Sequence, residues 1–239
     1  MRRSLASEVL VVLLALALER ILTPILAVAL AVATASEAIA PGFFVSYRAL
    51  HETGDGVALV AFARLFAVAL AAWFAVSLLR PQSKGGFLGL TTFGGTRAII
   101  VWSLIQAVLT TTDTVVAGSW GSHERSELGR EITDTASNLP LFLVGVVAVA
   151  PLTEELLYRG LVLGPASSLP LRSKKAIGFV LASATVWALE HSGNTIDLIV
   201  LFVSGCALAG ARLQTRSLWA PYWMHVGHNA FAAIMILRG

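Results

Sequence analysis

The chain has 239 residues, 56% of them hydrophobic and only 13% charged, whereas an ordinary soluble domain is about a quarter charged. With a mean hydropathy of +0.79, this balance excludes a soluble globule and predicts an all-α, polytopic transmembrane helix bundle whose solvent is the lipid bilayer. The net charge of +3 comes from scattered cations without a basic, aromatic-laced stripe, which excludes nucleic acid as an expected partner; the single cysteine, Cys206, excludes an internal disulfide or a multi-thiolate metal site.

In chain order, apolar runs near 9–33, 57–79, 98–120, 139–163, 176–194, 196–213 and 217–237 predict about seven spans. Six or eight are the neighbouring counts, because only "HSGNTID" separates the fifth run from the sixth. The first run, about 25 residues, exceeds a signal-peptide h-region, so it reads as an uncleaved helix despite the "MRR" start and the "ATA" site. Glu19, Arg20 and Pro24 interrupt it, which predicts a kink or an internal pairing of the charges.

The lysines and arginines set the orientation. With the N-terminus inside, the inner segments hold Arg2, Arg3, Arg80, Lys84, Arg97, Arg172, Lys174, Lys175, Arg212 and Arg216, and the outer ones Arg48, Arg125, Arg130 and Arg238. That asymmetry is the positive-inside pattern and requires alternating spans. "GSHERSELGREITDTASN" reads as a solvated outer loop with a short surface helix, and Tyr222 with Trp223 as interfacial aromatics. With no repeat or linker in view, residues 1–239 read as one integral membrane domain. The alanine-rich composition suggests a bacterial cytoplasmic membrane.

Apart from the first helix and Arg64, the ionisable residues within spans fall in the C-terminal half. Such residues usually face a bundle interior or a wet cavity and point to function. In "EELLYR", Glu155 and Arg159 are four apart with the acid first, the favourable order for an ion pair. Glu154, about 100° away around the helix, is left without a local partner, so its charge needs water, a cation or a proton. "WALEHSG" adds Glu190 and His191, and "YWMHVGHNAF" adds His225, His228 and Asn229. His225 and Asn229 share a helix face while His228 points elsewhere. Glu190 reads as a polar neighbour at a helix end. A carboxylate with histidines and an asparagine from three spans is how a hydrolytic site is assembled: a base for water and donors for the developing oxyanion.

These motifs, EExxxR in "EELLYR", HxxxN in "HVGHN" and an FxxxH-like "WALEH" with Trp187 at the aromatic position, resemble the CPBP family of intramembrane proteases. That family includes the type II CAAX prenyl endopeptidases and bacterial Abi-type proteins. The resemblance covers about 139–235, which would be the catalytic core, with 1–138 as family-variable N-terminal spans. It implies that Glu154 activates water, that His191 orients the same water, and that His225 and Asn229 hydrogen-bond the oxyanion. Glu155 and Arg159 would support the site. The implied substrate is a membrane-anchored protein or peptide. Metal use stays open: zinc is possible on two histidines and a carboxylate, although the chain lacks HExxH and the resemblance favours a glutamate-activated water. Two other classes compete, a non-catalytic immunity or partner-binding membrane protein, and a cation- or proton-coupled transporter. The site residues argue against the first, and the one-sided polar load against the second.

On straight, untilted helices the depths of these groups disagree. Glu154 falls roughly 22 Å from the outer end of its span and His225 roughly 12 Å from the inner end of its own, with His191 near the outer end. The sequence therefore predicts tilt, shifted boundaries, or a helix break at "HSGN" lining a cavity.

Overall fold

A computed structural model describes residues 5–34, 42–79, 84–91, 93, 95–120, 123–191 and 195–238. Every regular element among them is a helix, with no strand: α1 (Leu5–Ala33), α2 (Phe43–Ala49), α3 (Gly54–Leu79), α4 (Lys84–Leu88), α5 (Thr96–Trp120) and α6 (His123–Asp134). They are followed by α7 (Leu139–Val162), α8 (Lys174–His191), α9 (Thr195–Thr215) and α10 (Trp219–Arg238). The seven long helices sit at the seven predicted runs, and α6 occupies the predicted outer loop.

By length and apolarity, four helices among the described residues can cross a membrane: α1, α3, α7 and α9. The apolar part of α5, Thr96–Thr112, is shorter. Polar residues dilute the other two helices: Lys174, Lys175, Glu190 and His191 in α8, and His225, His228 and Asn229 in α10. The count of seven crossings therefore rests on the sequence reading alone. Leu10, Leu13, Phe66, Trp73, Leu104 and Ile199 stand exposed, as expected of helix faces turned to hydrocarbon in an integral membrane protein.

Small residues set the packing. Ala15, Ala27 and Ala31 of α1 face Ala63, Ala67, Ala71 and Ala75 of α3, all essentially inaccessible. Four-residue spacing of alanines brings two helix backbones close together, and Glu19 and Thr23 occupy buried positions on the same stripe of α1. The helix runs unbroken through Pro24. Against α3 lies α7, where a Cβ on Gly145 would meet Ala58 Cα at 3.2 Å.

Helix α7 opens on Asn138, whose side chain accepts from the Leu141 amide at 3.1 Å, an N-cap. It then carries two π-turn segments, Gly145–Val149 and Glu155–Val162. The Ala150 amide reaches back to Gly145 O, and Pro151 has no N–H. Val146 O is thereby left without a helical donor.

Helices α7 and α8 run antiparallel, with Ser183 Oγ donating to Tyr158 O at 3.3 Å and Trp187 Nε1 to Glu154 at 2.6 Å. This register brings the last turn of α8 level with Glu154, while α7 continues roughly 22 Å further toward Leu139. That further stretch is flanked by α10, where Asn229 meets Val146. Thus α8 stops part-way along its neighbour, and this closes the depth gap. Of "HSGN", Ser192 to Asn194 lie outside the described residues, as do Arg2, Arg3 and Arg80 of the orientation pattern. Arg212, counted among the inner-loop cations, is instead fully buried. Its guanidinium donates to Arg159 O at 3.1 Å and Phe87 O at 3.0 Å, satisfying backbone acceptors in the bundle.

Candidate active site

Both acidic residues of "EELLYR" point inward, Glu154 at 7% and Glu155 at 0% exposure. Glu155 Oε1 accepts from Arg159 NH1 at 3.1 Å, and NH2 of the same guanidinium reaches Gly205 O at 3.4 Å. The same Oε1 also accepts from His225 Nδ1 at 2.9 Å. Glu155 thus joins α7 to α10, and its partner Arg159 ties α7 to α9.

Glu154 takes its partners from α8 and α10. Oε2 accepts the Trp187 indole N–H at 2.6 Å. Oε1 faces His191 Nε2 at 3.3 Å, and His225 Nε2 stands 3.9 Å from Oε2. The spacing of Trp187 and His191 puts both on one face of α8, and their rings lie 5.2 Å apart.

The hydrogen bonds fix both histidine tautomers. His191 Nδ1 lies 2.8 Å from Trp187 O, a carbonyl that can only accept, so Nδ1 carries the hydrogen. His225 Nδ1 faces the arginine-paired Glu155 carboxylate, also an acceptor, so it too is protonated. Each ring therefore turns its Nε2 toward Glu154, His191 within hydrogen-bond distance of Oε1 at 3.3 Å; that nitrogen is bare when the ring is neutral and a donor when it is an imidazolium. With both rings neutral, the three groups offer only acceptors to a proton donor such as a water.

Asn229 Nδ2 donates to Val146 O at 2.8 Å, the carbonyl freed by the π-turn and Pro151, and keeps a second N–H. Asn229 also lines an apolar cavity of about 250 Å³ bounded by Phe142, Val146, Ala232, Ala233 and Ile236. His228, on another face of α10, shares a 2.8 Å hydrogen bond with Thr110 of α5.

The sequence reading named Glu19, Arg20, Arg64 and Glu190, and an internal pairing within the first helix, but did not join the four into a second polar cluster. Arg64 of α3 donates to Glu19 Oε1 at 3.0 Å and to Glu190 Oε2 at 3.1 Å. Arg20 pairs with Glu190 as well and lies 3.5 Å from Glu19. Two acids and two arginines, from α1, α3 and α8, neutralise one another one residue along from His191. Charge arithmetic was the available signal: Glu19, Arg20, Arg64 and Glu190 sum to zero, and each is costly in an apolar run without a partner.

Zinc needs three protein donors converging about 2.0–2.2 Å from one point. Among the described residues no three His, Cys, Asp or Glu side chains are so placed, and Glu154 Oε2 is already engaged by the indole. This donor set does not fit zinc.

Residues 136–231 match the type II CAAX prenyl endopeptidase Rce1-like family. The resemblance to the CPBP family is borne out. The matched stretch contains every motif residue from Glu154 to Asn229. YdiL from Bacillus subtilis, whose name proposes a membrane peptidase, is 25% identical over 145 residues, covering 58% of this chain and 57% of YdiL. The membrane-embedded CAAX protease MroQ from Staphylococcus aureus is 24% identical over 144 residues, covering 59% of this chain and 57% of MroQ. The chain thus matches a little over half the length of these curated relatives. No solved structure matches.

Proposed function

We propose that the protein is an intramembrane endopeptidase that hydrolyses a peptide bond in a membrane-anchored protein or peptide by glutamate-activated water. The observation that carries this reading is Glu154, buried, with the Nε2 atoms of His191 and His225 3.3 and 3.9 Å from its two oxygens. The names of the relatives and the matching family support a protease rather than an immunity protein or a transporter. The positive-inside pattern supports an N-terminus inside, and the alanine-rich composition and bacterial relatives support a bacterial cytoplasmic membrane.

In this mechanism a water donates one hydrogen to Glu154 Oε1 and the other to His191 Nε2, leaving an oxygen lone pair for the carbonyl carbon. Attack forms the C–O bond while Glu154 takes the proton. The carbonyl π electrons move to oxygen, and the resulting oxyanion receives the free N–H of Asn229. His225 donates from Nε2 only as an imidazolium, because Nδ1–H is committed to Glu155; the Glu155 carboxylate stabilises that cation. Collapse breaks the C–N bond, and the proton held by Glu154 passes to the leaving amine. Glu155 and Arg159 hold α7, α9 and α10 in register around these atoms, and the cavity beside Asn229 takes an apolar substrate side chain next to the scissile bond.

The test is Glu154→Gln in purified, detergent-solubilised protein, incubated with a panel of membrane-anchored peptides and read by mass spectrometry. Wild type is expected to cleave members of the panel and the variant to lose cleavage by a hundredfold or more, within the ~10²–10⁴ carried by a general base. Equal cleavage by the two removes the mechanism.

A further inference from the structure

We propose that Trp187 is a positioning residue of this site: its indole N–H holds Glu154 Oε2, so that Oε1, the oxygen beside His191, receives the proton from water. The inference rests on the proteolytic reading and adds to it the division of labour between the two carboxylate oxygens. The EExxxR and HxxxN elements keep their polar residues, but at the aromatic position of FxxxH this chain carries a side chain with a donor. A phenylalanine there could fill space without touching the chemistry.

Four contacts show that the ring is held in one pose. Arg159 lies over its face at 4.9 Å, the His225 ring meets it edge-on at 5.5 Å, and the His191 ring packs at 5.2 Å. On α9, a Cβ added to Gly205 would come within 3.1 Å of Trp187 Cε3, so glycine is the residue that leaves the indole room. Trp187 O, at the same time, accepts His191 Nδ1–H. One residue therefore directs its side-chain donor at the base and fixes with its carbonyl the tautomer of the histidine beside that base. Trp187 is 4% exposed, and a buried indole N–H normally finds a partner. Here the partner, at 2.6 Å, is the carboxylate proposed to act on water, an ionised acceptor that makes the hydrogen bond charge-assisted.

The consequence is geometric. A carboxylate with both oxygens free can rotate and present either one, whereas with Oε2 tethered only Oε1 faces the space shared with His191. Losing the tether lowers the fraction of Glu154 in the productive orientation, which acts on kcat and leaves substrate binding nearly unchanged.

The test replaces Trp187 with 3-benzothienylalanine by nonsense suppression in the full chain. This analogue keeps the shape and aromatic face of indole and lacks the N–H. Trp187→Phe is the second variant, and kcat and KM are measured on the peptides that wild type cleaves. Both variants are expected to lose roughly ten- to a hundredfold in kcat, the range of a hydrogen bond to a charged group, with KM within about twofold. The benzothienyl protein should keep the unfolding temperature of wild type. Wild-type kcat in the benzothienyl protein would show that the ring only packs, and overturns the proposal. A readout without turnover is the ultraviolet resonance Raman signal of Trp187, obtained as wild type minus Trp187→Phe. Its strong hydrogen-bond signature should weaken in Glu154→Gln, and an unchanged signature also overturns the proposal. If wild type cleaves nothing in the panel, the proteolytic reading falls and the positioning role falls with it; intact cleavage with an insensitive Trp187 sinks the positioning role alone.

Discussion

His225 Nδ1 lies 2.9 Å from Glu155 Oε1, the oxygen that also accepts Arg159 NH1 at 3.1 Å. The second carboxylate of the pair thus serves two cationic or potentially cationic donors and orients the His225 ring, while the first stands at the site. Glu155→Ala strips both donors of their acceptor and leaves a fully buried guanidinium unpaired, which should destabilise the bundle by about 3–5 kcal/mol. Glu155→Gln keeps an acceptor oxygen at the same place. It should fold with a smaller loss, yet lower kcat tenfold or more, because a neutral amide no longer stabilises an imidazolium at His225. Denaturant unfolding in detergent, followed by kinetics on the folded variant, separates the two effects. A Gln variant with wild-type kcat would remove the charged His225 from the mechanism.

Arg64 and Glu190, 3.1 Å apart with side chains 19% and 18% exposed, carry the link between α3 and the end of α8. Since Glu190 immediately precedes His191, this pair anchors the turn that presents the ring. Arg64→Gln and Glu190→Gln should each destabilise the protein, and the double variant should lose less than the sum. The expected coupling is on the order of 0.5–3 kcal/mol, typical of contacting residues in a shared network. A double-mutant cycle on unfolding free energies measures it directly. Strict additivity would mean that the pair is incidental.

How much of this could be read from residues alone follows from where the partners lie. Glu155 with Arg159 and His225 with Asn229 are four residues apart on one helix, so periodicity alone puts each pair on a shared face. The motifs around them also carried the family. The helices appeared where apolar runs predicted them, since long hydrophobic segments are the clearest signal in a sequence. Glu190 is different: its partners are 126 and 170 positions away in α3 and α1, and no local pattern connects them. The stop of α8 level with Glu154 was equally hidden, because it depends on the α7–α8 register. Trp187 was legible as an aromatic on the His191 face, but the direction of its N–H is set by tertiary packing against Gly205 and Arg159.

The cavity beside Asn229 makes the last prediction, which concerns substrate choice. Its walls are apolar, with Ala232 and Ala233 opposite Phe142 and Val146, and its volume is about 250 Å³. A dry cavity of about 150 Å³ already holds a benzene, so this one accommodates a large aliphatic or aromatic side chain. Because Asn229 is a proposed oxyanion donor, a side chain in the cavity belongs to a residue flanking the scissile bond. Wild type should therefore favour peptides with leucine or phenylalanine at that position over alanine. Ala233→Phe fills the space and should reverse the preference, shifting the ratio of kcat/KM values by roughly tenfold or more, within the ~10–200-fold discrimination of apolar pockets. Overpacking of this kind costs about 1–3 kcal/mol, so the comparison is made at a temperature where the variant is shown to be folded. A ratio that does not move in folded protein would place the cavity outside the substrate's path.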